Sequence, residues 1–166
     1  MSIVTETGSG SSTAETLISV VDSDTYHAAR GNATWATITT AQKEQALRRA
    51  TEFMIQSFTN RWQGYRKTDT QALDWPRYDV VVNGYVIDND IVPETVKRAC
   101  AEMAIRAAAG PLIDDLTQGV TSETVGPIQV TYDKTSNRKT KYASVEALLQ
   151  PYLKAGSSAT MGLVRC

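Results

Sequence analysis

The stretch from Arg61 to Arg106 reads RWQGYRKTDTQALDWPRYDVVVNGYVIDNDIVPETVKRACAEMAIR, an aromatic segment punctuated by prolines that leads into an alanine-rich helix. Pro93 suits the first turn of that helix, because its fixed φ is helical and its missing N–H needs no partner there. Gly110 and Pro111 end the helix. Its apolar residues extend around more than one side, which predicts burial on two sides, against a second layer of the same core or against another subunit.

A second long helix is predicted upstream of this segment. Thr39 and Gln42 have the spacing of a capping box, so the helix begins at Thr39. Its apolar positions recur at intervals of three and four residues and therefore form one buried face. They are Ala46, Leu47, Ala50, Phe53, Met54 and Phe58. A shorter helix, capped by Asp22 or Ser23, is predicted to end near Gly31.

Downstream of the alanine-rich helix the pattern changes to a period of two. Ile128, Val130 and Tyr132 alternate with polar residues after a Gly-Pro turn signal, which predicts a β-hairpin at about 120–133. A last helix opens at Ser144 and is shortened by Pro151. The predicted fold class is mainly α, a small helical bundle with a β-hairpin and extended N- and C-terminal arms.

The chain is divided into three parts by composition. Its 166 residues suit one ordinary domain. Residues 1–13 contain the low-complexity run TGSGSST and are predicted to be a flexible N-terminal arm. Residues 14–155 form the helical domain, and residues 156–166 form a C-terminal tail that follows a second flexible link.

Net charge, cysteine content and hydropathy exclude several classes of protein. The formal net charge of -1 gives no global attraction to nucleic acid or to anionic lipid, so a charged partner must be met by local patches. With only Cys100 and Cys166, a disulfide framework is not expected. The chain has no apolar run long enough to span a bilayer and no secretory signal at its start, which predicts a protein made in the cytoplasm with no membrane partner.

Catalytic and metal-binding patterns are weak in this sequence. His27 is the single histidine and no nucleophile motif accompanies it, so a catalytic triad is not expected. One histidine and two separated cysteines do not supply a zinc site. The acidic residues Asp88, Asp90 and Glu94 are better explained by turn formation and helix capping than by a calcium loop. We therefore expect no cofactor and no enzymatic activity.

One segment has the composition of a single-stranded nucleic acid site. Arg61, Trp62, Tyr65, Arg66 and Lys67 combine cations with two aromatic rings, as proteins do when they stack bases and neutralise phosphates. The alternative is that Trp62 and Tyr65 pack over the end of the helix that begins at Thr39, with the cations in water.

The order of several motifs resembles a family of tailed-phage proteins labelled DnaT-like single-stranded-DNA-binding. The motifs cover nearly the whole chain, although none is decisive alone. They are SVVDSDTYHAARGN (19–32), EQALRRAT (44–51), LDWPR (73–77), IVP (91–93), VGPIQVTY (125–132) and LVRC (163–166). The chain departs from the family in ending on Cys166, where a small residue is expected.

What this resemblance implies is a head-to-tail connector, or adaptor, of the phage neck. Such a virion protein forms a dodecameric ring beneath the portal, joins head to tail and helps to retain packaged double-stranded DNA, with the portal, tail or neck proteins and its own copies as partners. The residues then predicted to lie at the portal or subunit interface are Ile128, Val130, Tyr132, Leu163, Val164 and Arg165. Those predicted to face the DNA channel are Arg138, Lys139 and Lys141. The alternative function is a DnaT-like replication accessory protein that binds single-stranded DNA.

Overall fold

The computed structural model describes residues 3–113, 122–125, 128–131 and 140–154, and the backbone alone in 122–125 and 128–131. The helices in these ranges are α1 (Val20–Ala28), α2 (Ala33–Thr37), α3 (Thr40–Phe58), α4 (Glu94–Ala109) and α5 (Ala143–Leu149), the last continued by a 3₁₀ turn (Gln150–Tyr152). The strands are β1 (Tyr65–Arg66), β2 (Arg77–Tyr78), β3 (Val81–Val82), β4 (Tyr85–Val86), β5 (Ser122–Val125) and β6 (Ile128–Thr131). The predicted fold class, mainly α with a β-hairpin, is confirmed.

Helix α3 begins as its sequence predicts. The Thr39 hydroxyl accepts the Gln42 N–H at 3.3 Å, and the Gln42 side chain accepts the Thr39 N–H at 2.9 Å, which completes the capping box. The buried face matches the prediction except at one position: Phe53 is half-buried and meets the edge of Tyr142 at a centroid distance of 5.3 Å. Thr51 takes its place in the fully buried set.

Helix α4 is buried on two sides, and both sides face this chain. It packs against α3 on one side and also contacts α5 and α1. Its buried residues are Val96, Ala99, Cys100, Ala101, Met103, Ala104 and Ala107. The alanines of α4 allow its neighbouring helices to approach closely. Because α4 has such neighbours on two sides, its apolar surface must be wide. The second apolar side is therefore explained by an inner layer of the same core.

Helix α1 begins earlier than predicted. Its N-cap is Ser19, whose hydroxyl accepts the Asp22 N–H at 3.0 Å and donates to Asp22 Oδ2 at 2.8 Å. The prediction of a cap at Asp22 or Ser23 is wrong, because Ser19 offers the same capping chemistry and lies upstream of both. Ser23 is fully buried within the helix.

The segment predicted as a flexible N-terminal arm lies against the body of the protein from Ile3 onward. The Glu6 side chain is 1% exposed, and its carboxyl oxygens accept the N–H groups of Gly8 (2.7 Å), Gly10 (3.0 Å) and Ser11 (2.7 Å). Glu6 thus satisfies the backbone of a glycine- and serine-rich loop that has no regular hydrogen bonding of its own. Composition alone predicted a flexible arm, because it carries no information on the packing of this segment against residues far away in the sequence.

In the part of the chain that the structure describes, three separate antiparallel ladders complete the fold: β1–β2, β3–β4 and β5–β6. The β5–β6 hairpin, with Val125 paired to Ile128, lies within the predicted range and is confirmed. The other two ladders were not predicted. A signal for β3–β4 was present, since Asn83 and Gly84 have φ of 53° and 84° and Asn-Gly between apolar residues is the preferred sequence of a two-residue hairpin turn.

Candidate nucleic-acid interface

Two tyrosines face each other across the ladder of β1 and β2. Tyr65 pairs with Tyr78, and their ring centroids lie 5.4 Å apart with the planes tilted by 34°. Tyr65 is 57% exposed, whereas Tyr78 is half-buried. We call these two residues the tyrosine pair. It presents an aromatic ring to solvent that is supported on one side by a second ring, a suitable surface for a stacked base.

The ladder depends on a glycine beside the tyrosine pair. Gly64 has a φ of +60°, and a Cβ atom at this position would lie 1.8 Å from the carbonyl oxygen of Tyr78. Only glycine combines this conformation with so close an approach of two backbones. Gly64 thereby brings Tyr65 next to Tyr78.

A buried arginine holds the same segment from the other side. The Arg77 guanidinium donates to the carbonyl oxygens of Gln63 at 2.8 Å, Gly64 at 2.9 Å and Asp74 at 3.1 Å. Burial lowers the pKa of Arg77, and the nearby Asp74 opposes that shift. Arg77 is 5% exposed, so its charge serves to fix three backbone carbonyls and is not offered to a ligand.

Trp62 lies in the core and not on the candidate surface. It is 1% exposed, its indole N–H donates to Asp74 Oδ2 at 3.0 Å, and its ring meets the edge of Trp75 at a centroid distance of 5.6 Å. It also contacts Phe58 at the end of α3. The structure thus separates the two aromatic residues that the sequence grouped: Trp62 packs inside, and Tyr65 faces solvent.

The cations of this segment differ in their surroundings. Arg61 pairs with Glu146 at 3.4 Å and covers the Phe58 ring at 4.9 Å. The Lys67 ammonium donates to the Gly8 carbonyl at 3.1 Å. Arg66 is exposed. Of the residues predicted for a single-stranded DNA site, Tyr65 and Arg66 are therefore the two most available to a ligand.

A third tyrosine is exposed on the neighbouring β3–β4 hairpin. Tyr85 is 77% exposed and the adjacent Val86 is 70% exposed. The hairpin is joined to the segment that precedes β1 by a hydrogen bond from the Val81 N–H to Gln63 Oε1 at 3.2 Å. Tyr78 and Tyr85 were missed as site residues by sequence reasoning; the Asn-Gly turn could have indicated an exposed hairpin tip.

Most of the residues predicted from the connector interpretation lie outside the described residues. Tyr132, Arg138, Lys139, Leu163, Val164 and Arg165 fall there. Ile128 and Val130 lie in β6, where the backbone alone is described. Lys141 is exposed and precedes α5.

Two findings concern sites of other kinds. Within the ranges that the structure describes, no three metal-binding side chains come together as a cluster. In the same ranges, no helix combines the length and the apolar content that crossing a bilayer requires.

The chain belongs to the family described as "Putative DnaT-like ssDNA binding protein", whose model matches residues 1–166. No curated protein and no solved structure matches the chain.

This family membership corrects the predicted connector function. The family is described by single-stranded DNA binding, and nothing found points to a head-to-tail adaptor or to a component of the virion. The second apolar side of α4, for which the sequence left open a contact with another subunit, is explained by packing within the chain. The predicted portal, tail and ring partners and the location in the virion neck depended on the same interpretation, and no finding tests them.

Proposed function

We propose that this protein binds single-stranded DNA and that the tyrosine pair forms part of the binding surface. The observation that carries the proposal is the family match over the entire chain. The function is binding alone, without a chemical step on the DNA.

The geometry supports the placement of the site. Proteins that bind single strands without sequence preference stack bases on exposed aromatic rings and neutralise phosphates nearby. Tyr65 supplies such a ring, and the exposed Arg66 follows it in β1. Both are held in place by the Gly64 approach and by the three carbonyl contacts of Arg77.

The test measures fluorescence anisotropy of a fluorescein-labelled oligothymidine of roughly 20 nucleotides, long enough for one binding site of this kind. We expect saturable binding to the single strand and much weaker binding to a duplex of the same length, because paired bases present no free faces. No binding to the single strand, or equal binding to both, would contradict the proposal.

The site is tested with two substitutions at one position. Tyr65→Ala removes the ring and is expected to lower the affinity by about 1–3 kcal/mol, the range for one stacked base. Tyr65→Phe keeps the ring and should bind like the unaltered protein. Val21→Ala, at a position 72% exposed on α1, is the control for loss of an exposed apolar side chain elsewhere. Equal affinities for Tyr65→Ala and Val21→Ala would place the site away from the tyrosine pair.

A further inference from the structure

Aromatic surface dominates the candidate interface. Tyr65 is 57% and Tyr85 is 77% exposed, and both are large rings on short ladders. Gln63 contacts both ladders, since its carbonyl accepts from the Arg77 guanidinium and its Oε1 accepts from the Val81 N–H. Tyr78 supports Tyr65 at a centroid distance of 5.4 Å. Every nucleobase has a face that can stack on such a ring, whatever the sequence.

The cations of the 61–77 segment, by contrast, are largely engaged in contacts within the protein. Four cations lie between positions 61 and 77 of the sequence: Arg61, Arg66, Lys67 and Arg77. Arg77 is buried and donates to three carbonyl oxygens. Arg61 pairs with Glu146, and the Lys67 ammonium donates to a carbonyl oxygen. The net charge of the chain is -1, so no general field compensates for this engagement.

Arg66 also lies on a different face from the tyrosine pair. Successive residues of a strand point to opposite faces, and Arg66 pairs with Arg77 while Tyr65 pairs with Tyr78. A strand of DNA stacked on Tyr65 therefore passes Arg66 at the edge of the ladder. There Arg66 can contact one phosphate, but the ladder offers no row of cations that could contact successive phosphates.

We propose that this surface binds DNA chiefly through its bases, and that the ligand class is single strands with unpaired bases, to which phosphates contribute one or two contacts. The inference rests on the proposed single-stranded DNA binding and specifies which part of the nucleotide is recognised. Such a protein distinguishes a strand with bases from a polyanion of equal charge.

The decisive comparison uses two labelled oligomers of the same length and phosphate number, an oligothymidine and an oligomer of abasic tetrahydrofuran nucleotides. We expect the abasic oligomer to bind at least about tenfold more weakly, since each lost stacking contact lowers affinity by roughly 5- to 150-fold. Across a salt titration, the logarithm of the association constant for oligothymidine should fall with a slope of about −0.7 to −1.4, corresponding to one or two neutralised phosphates.

Two variants measure the contribution of base stacking and the contribution of the phosphate contact separately. Tyr65→Ala should weaken binding to oligothymidine and leave the weak binding to the abasic oligomer unchanged. Arg66→Gln should weaken binding to both oligomers by the same factor and reduce the salt slope by about 0.7. Arg49→Gln, which removes an exposed arginine of α3, is the matched control for the change in net charge.

The outcomes separate this inference from the proposed function. Equal affinity for the two oligomers, with a salt slope steeper than about −3, would overturn the inference while leaving single-stranded DNA binding intact. No binding to oligothymidine at low salt would overturn both. Loss of binding in Tyr65→Ala together with a normal thermal transition excludes unfolding as the cause and supports the inference.

Discussion

The indole N–H of Trp62 donates to Oδ2 of Asp74 at 3.0 Å in an environment where both side chains are almost fully buried. The same oxygen accepts the Thr59 hydroxyl at 2.7 Å. The end of α3 is thereby joined to the segment that carries β2. Because Arg77 also contacts the Asp74 carbonyl, this connection positions the backbone beneath the tyrosine pair.

Removal of the Asp74 carboxyl group should destabilise the fold. Asp74→Ala leaves the buried Trp62 N–H without an acceptor, which costs about 1–3 kcal/mol of the free energy of unfolding. Asp74→Asn keeps one acceptor oxygen and should lose less. Urea denaturation followed by circular dichroism measures both. Asp69→Ala, at an exposed position, is the control, and equal midpoints for Asp74→Ala and Asp69→Ala would refute the role of the hydrogen bond.

The tryptophans should be insensitive to DNA. Trp35, Trp62 and Trp75 are 2%, 1% and 0% exposed, so none can stack on a base without unfolding. We expect saturating oligothymidine to leave the tryptophan emission nearly unchanged and acrylamide to quench it weakly until urea unfolds the protein. Strong quenching by DNA in the native state would show that a tryptophan leaves the core, contrary to the structure. Labelled DNA is therefore the better reporter.

Alanine at Gly8 should be more destabilising than alanine at Gly31. Both glycines have positive φ, +109° and +68°, but a Cβ at Gly8 would lie 1.7 Å from the Asp90 carbonyl oxygen, while nothing lies within 4 Å of one at Gly31. Gly31→Ala should cost about 1–2 kcal/mol from backbone conformation. Gly8→Ala should cost a further 1–3 kcal/mol, roughly the range for forced overpacking.

Thermal denaturation of the two glycine variants provides the comparison. A melting temperature for Gly8→Ala equal to that of Gly31→Ala would mean that the N-terminal loop is not packed on the 90–91 backbone. The Gly31 variant thus controls for the unfavourable φ alone, and the difference between the two variants reports the contact.

Stability should decrease below neutral pH because of His27. The ring is buried; its Nε2 lies 3.2 Å from the Ala101 carbonyl, which can only accept, and its Nδ1 lies 2.9 Å from the Asn32 amide nitrogen, which donates. The neutral ring with its proton on Nε2 satisfies both contacts. Burial lowers the pKa of His27 from its ordinary value of 6.5; the hydrogen bond to Ala101 and the charges of Glu102 and Asp24 oppose the shift, and Arg30 adds to it.

The direction in which stability changes with pH follows from proton uptake by His27. Below about pH 6.5 the unfolded chain binds a proton at His27 that the folded protein does not, so the free energy of unfolding falls as the pH drops toward the lowered native value. Urea titrations at about pH 7.5 and about pH 5.5 measure this slope, in a range above the ordinary carboxyl pKa values. His27→Gln should abolish the slope; an unchanged slope in that variant would assign it to another group.

Local signals in the sequence were sufficient for the main helices. The Thr39–Gln42 capping box, Pro93 at the start of α4 and Gly110 at its end each act within about one turn of chain, so neighbouring residues decide them. The same holds for the β5–β6 hairpin. Phe53 was assigned to the buried face by spacing alone and proved half-buried, and its aromatic contact, Tyr142, comes from a distant part of the chain that spacing does not reveal.

Local signals located the segment of the candidate site but did not specify which of its aromatic residues faces solvent. Tyr65 and Trp62 are three residues apart and have similar composition around them, yet one is exposed and the other is in the core. The difference arises from Asp74, Trp75 and Tyr78, which reach them only after the chain has folded back.

By itself the sequence determined the helical class, the position of α3 and α4 and the presence of a hairpin near the C-terminal end, because capping, periodicity and turn chemistry are local. Only the tertiary structure decided that Glu6 orders the glycine-rich loop, that α4 is covered on both sides by its own chain and that Tyr65 faces solvent. Burial is a property of contacts between segments far apart in sequence, and a side chain's own neighbours in the chain do not specify it.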